Sequence, residues 1–286
     1  MSKIIYGLYH GWFVKNINPF WCSNKRKYNV LYAGVIWFNI KIMSIHALIR
    51  KIWNNKWVLR SILPTIYFNF HYLPFSQAVK LPILLYKPRL FRCKGRVRIV
   101  SDKVEPGMIK LGIYGVTIYP NNGIMFQNNG GVITFRGGCC IGNDSYISIG
   151  INGSLDFGAN FNATAGLKIV AYHKIIFEDD VLVGWENMFV DNDGHQITAT
   201  DKDMKLPKPY GIVHIGKGCW FAYGSYVMKN TKLPDYCIVA AKSMLNKNYD
   251  IPKYSLLAGM PATAKKTGVY LDKRYDFVKY PSLDNV

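Results

Sequence analysis

The sequence predicts a mainly β protein, a solenoid of short flat strands behind an α-helical N-terminal region, and three observations carry that prediction. First, six bulky apolar residues recur six apart near the C-terminal end: Ile215, Phe221, Val227, Leu233, Val239 and Leu245. Second, a small residue follows four places after each of the first five: Cys219, Ser225, Thr231, Cys237 and Ser243. A period of six matches neither a helix nor a lone two-faced strand, but it fits one short strand and one sharp corner per hexad. The bulky residue then fills the interior, and the small one packs inside where the coil turns. Third, the texture switches near Gly95, from helix-like apolar runs to short β-branched runs rich in Gly and Asn.

Taken in order, residues 1–29 are irregular, with a basic cluster at Lys25, Arg26 and Lys27. Residues 30–53 read as a helix that is apolar almost all round. Asn39, Lys41, Ser44 and His46 interrupt it, which favours a buried or interfacial helix over a transmembrane span of about 20 apolar residues. Residues 56–72 read as a second helix, broken near Pro64, and Pro74, Pro82 and Pro88 predict an extended connector. Hexad phase appears at Phe135, Ile141 and Ile147, slips near Gly153, and resumes at Phe157, Ala163 and Ile169. It slips again and resumes at Phe177, Val183 and Phe189. Such slips mark corners with extra residues. Residues 191–211, DNDGHQITATDKDMKLPKPYG, are polar, hold two prolines and interrupt the repeat, as a functional insertion does. The expected organisation is a basic, aromatic-rich helical region over 1–90, a solenoid over 91–262 and a tail over 263–286.

At 286 residues, half of them hydrophobic, the chain has ample material for a core. Its start, MSKIIYGLYHGWF, lacks an apolar h-region followed by small cleavage residues, so no signal peptide is expected. The six cysteines show no metal-like CxxC spacing and no disulfide framework. Cys139, Cys219 and Cys237 fall on small interior positions, which fits a reduced, cytoplasmic protein. The formal net charge of +19 is uneven: residues 1–100 contain 17 Lys or Arg and no Asp or Glu. Without a zinc-finger, RRM or basic-zipper signature, that asymmetry points away from nucleic acid. It points to an anionic membrane surface, with peripheral contact at its inner face, or to a phosphate-bearing substrate. The competing reading is that the aromatics bury against the solenoid and the charges are simply solvated.

The run IGKGCWFAYGSYVMKNTKLPDYCIVAAKSMLNKN, followed by Gly259-Met260-Pro261-Ala262, resembles the closing coils of hexapeptide-repeat acyltransferases. Their ending reads roughly IGxxxWIGxxxxIxxGxxIGxxxxIGAGSVVTKD, then GxPAK. The resemblance spans most of the last two-thirds of the chain. It implies a left-handed parallel β-helix of three hexads per coil, about six coils here, and a homotrimer with each site between adjacent solenoids. It also implies acetyl-CoA as acyl donor and a carbohydrate acceptor, in a manner similar to galactoside, maltose and surface-polysaccharide O-acetyltransferases.

Acyl transfer to a hydroxyl needs a base for the acceptor proton and a donor for the carbonyl oxygen as it turns negative. Of six histidines, His10, His46 and His71 lie in the aromatic N-terminal region, His173 falls on a corner and His214 reads as packing. His195 stands where the solenoid gives way to the insertion. By itself it reads as a loop histidine in an Asp/Gly turn. The resemblance makes it the general base, because Asp191, Asp193 and His195 match the DxDxH turn of related polysaccharide acetyltransferases. Asp193 or Asp191 would then orient the imidazole, or else both cap the turn. By the same resemblance, Trp220, Ala222, Tyr223, Ala240 and Ala241 line the donor, with the Tyr223 N–H as oxyanion donor. Lys247 and Lys266 either meet the nucleotide phosphate or are solvated surface lysines. Three departures stand out: Ala222 and Lys242 replace glycines, and Thr164 stands where galactoside-type enzymes have Asn, which predicts a different acceptor contact. The HGVTLGG-type motif of serine acetyltransferases is absent. No histidine pair has the spacing of a γ-class carbonic anhydrase, so no metal site is expected. N-acylation of an amino sugar and a non-catalytic scaffold are the alternative functions.

Overall fold

The computed structural model describes residues 56–275. The helix expected over 30–53, and the end of the tail beyond Tyr275, lie outside them. Among the described residues no helix is long and apolar enough to cross a membrane.

The chain forms a left-handed parallel β-helix of triangular section, with one sheet on each side. The first sheet has nine strands, the second seven and the third six, so the coil closes six full turns, the number implied by three hexads per coil. Successive coils stack in register. In the third sheet Phe135 pairs with Phe157, Phe157 with Phe177, Phe177 with Ile215, and Ile215 with Leu233. The strands are short, down to two residues at Trp220–Phe221 and Tyr226–Val227. Every corner therefore recurs within a few residues, and the hexad is what fixes its position.

The interior is built as the spacing predicts. All six bulky residues of the 215–245 run are at most 2% exposed, and the five small partners are fully buried. Phe135, Phe157 and Phe177 form a ring stack with centroids 5.2 and 5.6 Å apart and planes within 9°. Rings at this spacing add to the area that they bury. Buried polar residues close one corner column: the Asn187 side chain accepts from Ser225 N and donates to Ala222 O, and Ser225 and Ser243 hydroxyls both donate to Ala240 O. Cys139, Cys219 and Cys237 are buried thiols, and burial pushes the Cys219 thiol up from its ordinary value.

The two ends differ from expectation. Helix α1 (Lys56–Tyr72) runs unbroken through Pro64. A mid-helix proline removes the bond to the carbonyl four residues back, here that of exposed Arg60, where water can take its place. After it, Pro74 caps a short helix, α2 (Phe75–Ala78), in place of an extended connector. The first coil then begins at Ile83–Leu85, upstream of residue 91. Helix α1 lies across the open end of the solenoid. Asn69 bonds both N and O of Ile83 at 3.1 and 2.7 Å, and Thr65 accepts from Leu85 N. These side chains stand in for a missing strand and blunt an edge that would otherwise invite pairing. Phe68 packs edge-on against Phe126, with centroids 5.1 Å apart. At the other end, Ser255–Gly259 still belongs to the first sheet, and Ala262–Thr267 folds back on it antiparallel, so the solenoid outlasts the last hexad and takes in part of the expected tail.

Candidate active site

The long insertion leaves the prism at the edge between the second and third sheets, after strand Met188–Val190 and before Val213–Ile215. Its neck is tied. Asp191 is fully buried, and its carboxylate accepts from the backbone N–H groups of Tyr172 and His173 at 2.9 and 2.8 Å and from the Asn192 amide. Asp193 N donates to Pro209 O and Gly211 N to Asp191 O, which closes the loop on itself. The Asp193 carboxylate pairs with Lys229 one coil on, and Lys229 also donates to Lys208 O at 2.9 Å. Asn192 Oδ1 accepts from Gly194 N, and Gly194 takes φ +73°, a turn that only glycine adopts without strain.

His195 is the first residue past this neck. It is exposed and has no hydrogen-bond partner among the described residues. Of the two acids expected beside it, Asp191 acts differently from an orienting group, because both oxygens are consumed by the corner below. Asp193 is engaged by Lys229. The DxDxH turn thus braces the neck of the insertion, and the imidazole just past it is exposed to solvent. Lys229 was missed in the sequence: it lies in an otherwise regular hexad, and only the stacking of adjacent coils puts it opposite Asp193.

Of the residues expected to line the donor, Ala222, Tyr223, Ala240 and Ala241 converge on a different edge, between the first and second sheets. Ala222 donates to Val239 O and Ala240 to Leu257 O. The Tyr223 amide donates to no group among the described residues, as an oxyanion donor requires. The Tyr223 phenol donates to Glu186 at 2.8 Å, and Lys242 Nζ stands 4.2 Å from the Tyr223 ring centre. Lys242 occupies its corner at φ +57°, so lysine, not glycine, holds a left-handed position there. A loop between Ile113 and Ile124 folds over the same edge and sets Tyr119 against Trp185, with centroids 6.1 Å apart. Burial, with Glu186 close by, pushes the Tyr119 phenol up to about 12. The Tyr223 hydrogen bond holds the Glu186 carboxyl below its ordinary value. Neither Glu186 nor Tyr119 was singled out in the sequence; an acidic residue at a corner beside Trp185 was the available signal. Thr164, on this edge, has a buried hydroxyl without a hydrogen-bond partner.

The remaining expected residues fall apart. Trp220 faces outward from the first sheet, half-buried. Lys247 is exposed, with its ammonium 5.6 Å from the Tyr249 ring centre, and Lys266 lies on the outer antiparallel strand of the first sheet opposite Leu256. His214 bonds Glu178 at 2.9 Å and His173 packs at a tilt against Tyr210, with centroids 4.7 Å apart, so both have packing roles. His71 bonds Cys93 O at 2.6 Å. Among the described residues no three His, Cys, Asp or Glu side chains converge as a metal group.

Within one chain, then, His195 and Tyr223 stand on different edges, separated by the width of the second sheet.

No protein-family model matches the chain, and no curated protein matches it. Among solved structures it is similar to the polySia-specific acetyltransferase NeuO, at 15% identity over 70% of this chain and 82% of that one, with a TM-score of 0.37. It is also similar to a mutant of AntD, an N-acyltransferase from Bacillus cereus solved with dTDP and coenzyme A, at 14% identity over 65% and 80%, with a TM-score of 0.35. A third is a maltose O-acetyltransferase from Clostridium difficile 630, at 13% identity over 62% and 70%, with a TM-score of 0.28.

Proposed function

We propose that the protein is an acetyl-CoA-dependent O-acetyltransferase acting on a sugar hydroxyl, in the assembly of a surface polysaccharide. The observation that carries this reading is His195: an exposed imidazole without a hydrogen-bond partner among the described residues, set on a braced neck at the mouth of the insertion. His195 takes the proton of the acceptor hydroxyl as its oxygen attacks the thioester carbonyl. The Tyr223 N–H donates to the carbonyl oxygen, the C–S bond breaks, and the proton passes from the imidazolium to the departing thiolate. No covalent enzyme intermediate is needed. The short side chains of Ala222, Ala240 and Ala241 let an extended pantetheine lie close to the backbone. Lys247 and Lys266 lie off this edge and would meet its phosphates only where the nucleotide end runs past it.

The separation of His195 from Tyr223 supports a homotrimer in which the histidine edge of one copy meets the donor edge of the next. The exposed Ile197 and Met204 on the insertion, 59% and 55% accessible, give such a contact its apolar part. Light scattering at micromolar concentration is expected to report three chains. A fully active monomer would refute shared sites. Product chemistry separates the acceptors: radiolabelled acetyl on the sugar is expected to leave in mild alkali as an ester does, and an alkali-stable product would make this an N-acyltransferase.

Glu186 is a positioning residue in this scheme, since it fixes the Tyr223 ring on the donor edge. Glu186→Gln is expected to raise KM for acetyl-CoA about three- to tenfold and leave kcat within about twofold, because the base is untouched. Being held below its ordinary value, the Glu186 carboxylate stabilises the fold fully above the ordinary glutamate range, and that contribution fades as pH falls through the lowered value. A purely structural role would lower thermal stability without moving KM.

A further inference from the structure

Helix α1 buries only one side. Thr65, Phe68, Asn69 and Leu73 face the solenoid, while Ile62, Leu63, Ile66, Tyr67 and Phe70 form a stripe on the opposite side, 39–60% exposed. Phe75 on α2 extends the stripe at 75% exposed. Because α1 lies under the open end of the coil, this apolar face points away from the body, along the solenoid axis. A charged rim borders it on two sides of the prism. The first strands of the second and third sheets, Arg89–Cys93 and Arg96–Ile99, present exposed Arg89, Arg92, Arg96 and Arg98, with Phe91 at 62% exposure between them. None of these arginines forms an ion pair with a described residue. Residues 56–100 carry nine Lys or Arg and no Asp or Glu, so no acid of this segment competes for them.

We infer that this end of the solenoid docks on an anionic membrane surface, with the α1 stripe seated among the headgroups and the arginine rim on lipid phosphates. The juxtaposition is what a monotopic surface requires: an apolar, aromatic-bearing face that partitions to the interface, bordered by cations that select anionic lipid. A flat protein partner would need acids to match the rim. A second copy would set arginine rim against arginine rim, so like charge opposes that pairing. The proposal is independent of the acyl-transfer chemistry, and its test reads binding, not turnover.

The full chain is floated with vesicles of phosphatidylcholine alone and of phosphatidylcholine with one-third phosphatidylglycerol, at about 0.05 M and about 0.5 M salt, which moves the screening length from beyond to within the rim's spacing. Anionic vesicles are expected to bind at least about tenfold better than neutral ones, and high salt is expected to remove most of that preference. Two variants probe the two parts: Leu63→Ser with Phe70→Ser on the face, and Arg92→Gln with Arg96→Gln and Arg98→Gln on the rim. Each Lys or Arg near an anionic leaflet is worth about fivefold in partitioning, so the rim variant, which removes three, should lose about a hundredfold. It does so with an unchanged melting midpoint, and because it alters only exposed residues it keeps the test valid should the face variant fail to fold. Equal binding to both lipids, or binding that neither variant lowers, overturns the proposal. So does a face variant that melts earlier yet binds vesicles as before, which would mean that residues preceding α1 cover the stripe. A change of oligomeric mass in the face variant, with vesicle binding intact, would assign the face to a second copy and overturn it as well.

Discussion

Replacing His195 by alanine is expected to lower kcat by about 10²–10⁴, the usual worth of a positioned general base, with a melting midpoint within about 2 °C of the parent. The two halves of that expectation come from one fact: the imidazole is exposed and bonds to no described residue, so removing it costs chemistry without costing structure. Surface substitutions away from packed or bonded sites change stability by less than about 0.5 kcal/mol. His214→Ala is the matched control. Its ring is held by Glu178 at 2.9 Å on the face of the third sheet, and its loss should leave kcat within about twofold. If a folded His195 variant kept near-parental activity, the base would have to be sought elsewhere.

Asp191→Ala is expected to act in the opposite sense, on the fold first. Its carboxylate takes the amides of Tyr172 and His173 at a corner where it is itself fully buried. Alanine leaves both donors without their acceptor, at about 1–3 kcal/mol each. The sum is about 2–6 kcal/mol, or a fall in melting midpoint of about 5–15 °C for a chain of this size. Asp191→Asn should recover part of this, since one oxygen remains, while its amide meets donors where an acceptor is needed. Thermal denaturation of the two variants checks the order. Were Asp191 instead the group that orients His195, the alanine variant would lose activity at unchanged stability.

How much of this was legible beforehand follows from what a period can encode. The interior of the last two coils was readable residue by residue, because Ile215 through Leu245 obey a strict six-residue spacing and each bulky position is buried. The slips near Gly153 and before Phe177 were readable as corners, and they are: extra residues are absorbed between strands without disturbing the vertical register. The solenoid's start was not readable. Ile83–Leu85 is flanked by prolines that signal a connector, and it becomes a strand because Asn69 and Thr65 of α1 satisfy its open edge. Those contacts join residues 14 and 20 apart, which no local pattern reveals. The same limit applies at the site. His195 reads from its turn alone as a loop histidine, and only the resemblance makes it a candidate base. The pairing of Asp193 with Lys229 and of Glu186 with Tyr223 depends on which corners stack, and stacking is set only after the insertion's length has been absorbed. Lys242 in a left-handed corner shows the converse: a position that favours glycine was filled by a residue whose ammonium holds the neighbouring Tyr223 ring.

Free-thiol release from acetyl-CoA by the purified full chain, across simple sugars, nucleotide sugars and lipid-linked oligosaccharides, tests the acyl-transfer reading most directly. The expected result is release that rises well above the acceptor-free rate with at least one hydroxyl-bearing sugar, and that falls by at least about 10²-fold in the His195→Ala variant. Release that no sugar stimulates, or that the variant matches, would contradict the assignment of this solenoid as an acetyltransferase with His195 as its base.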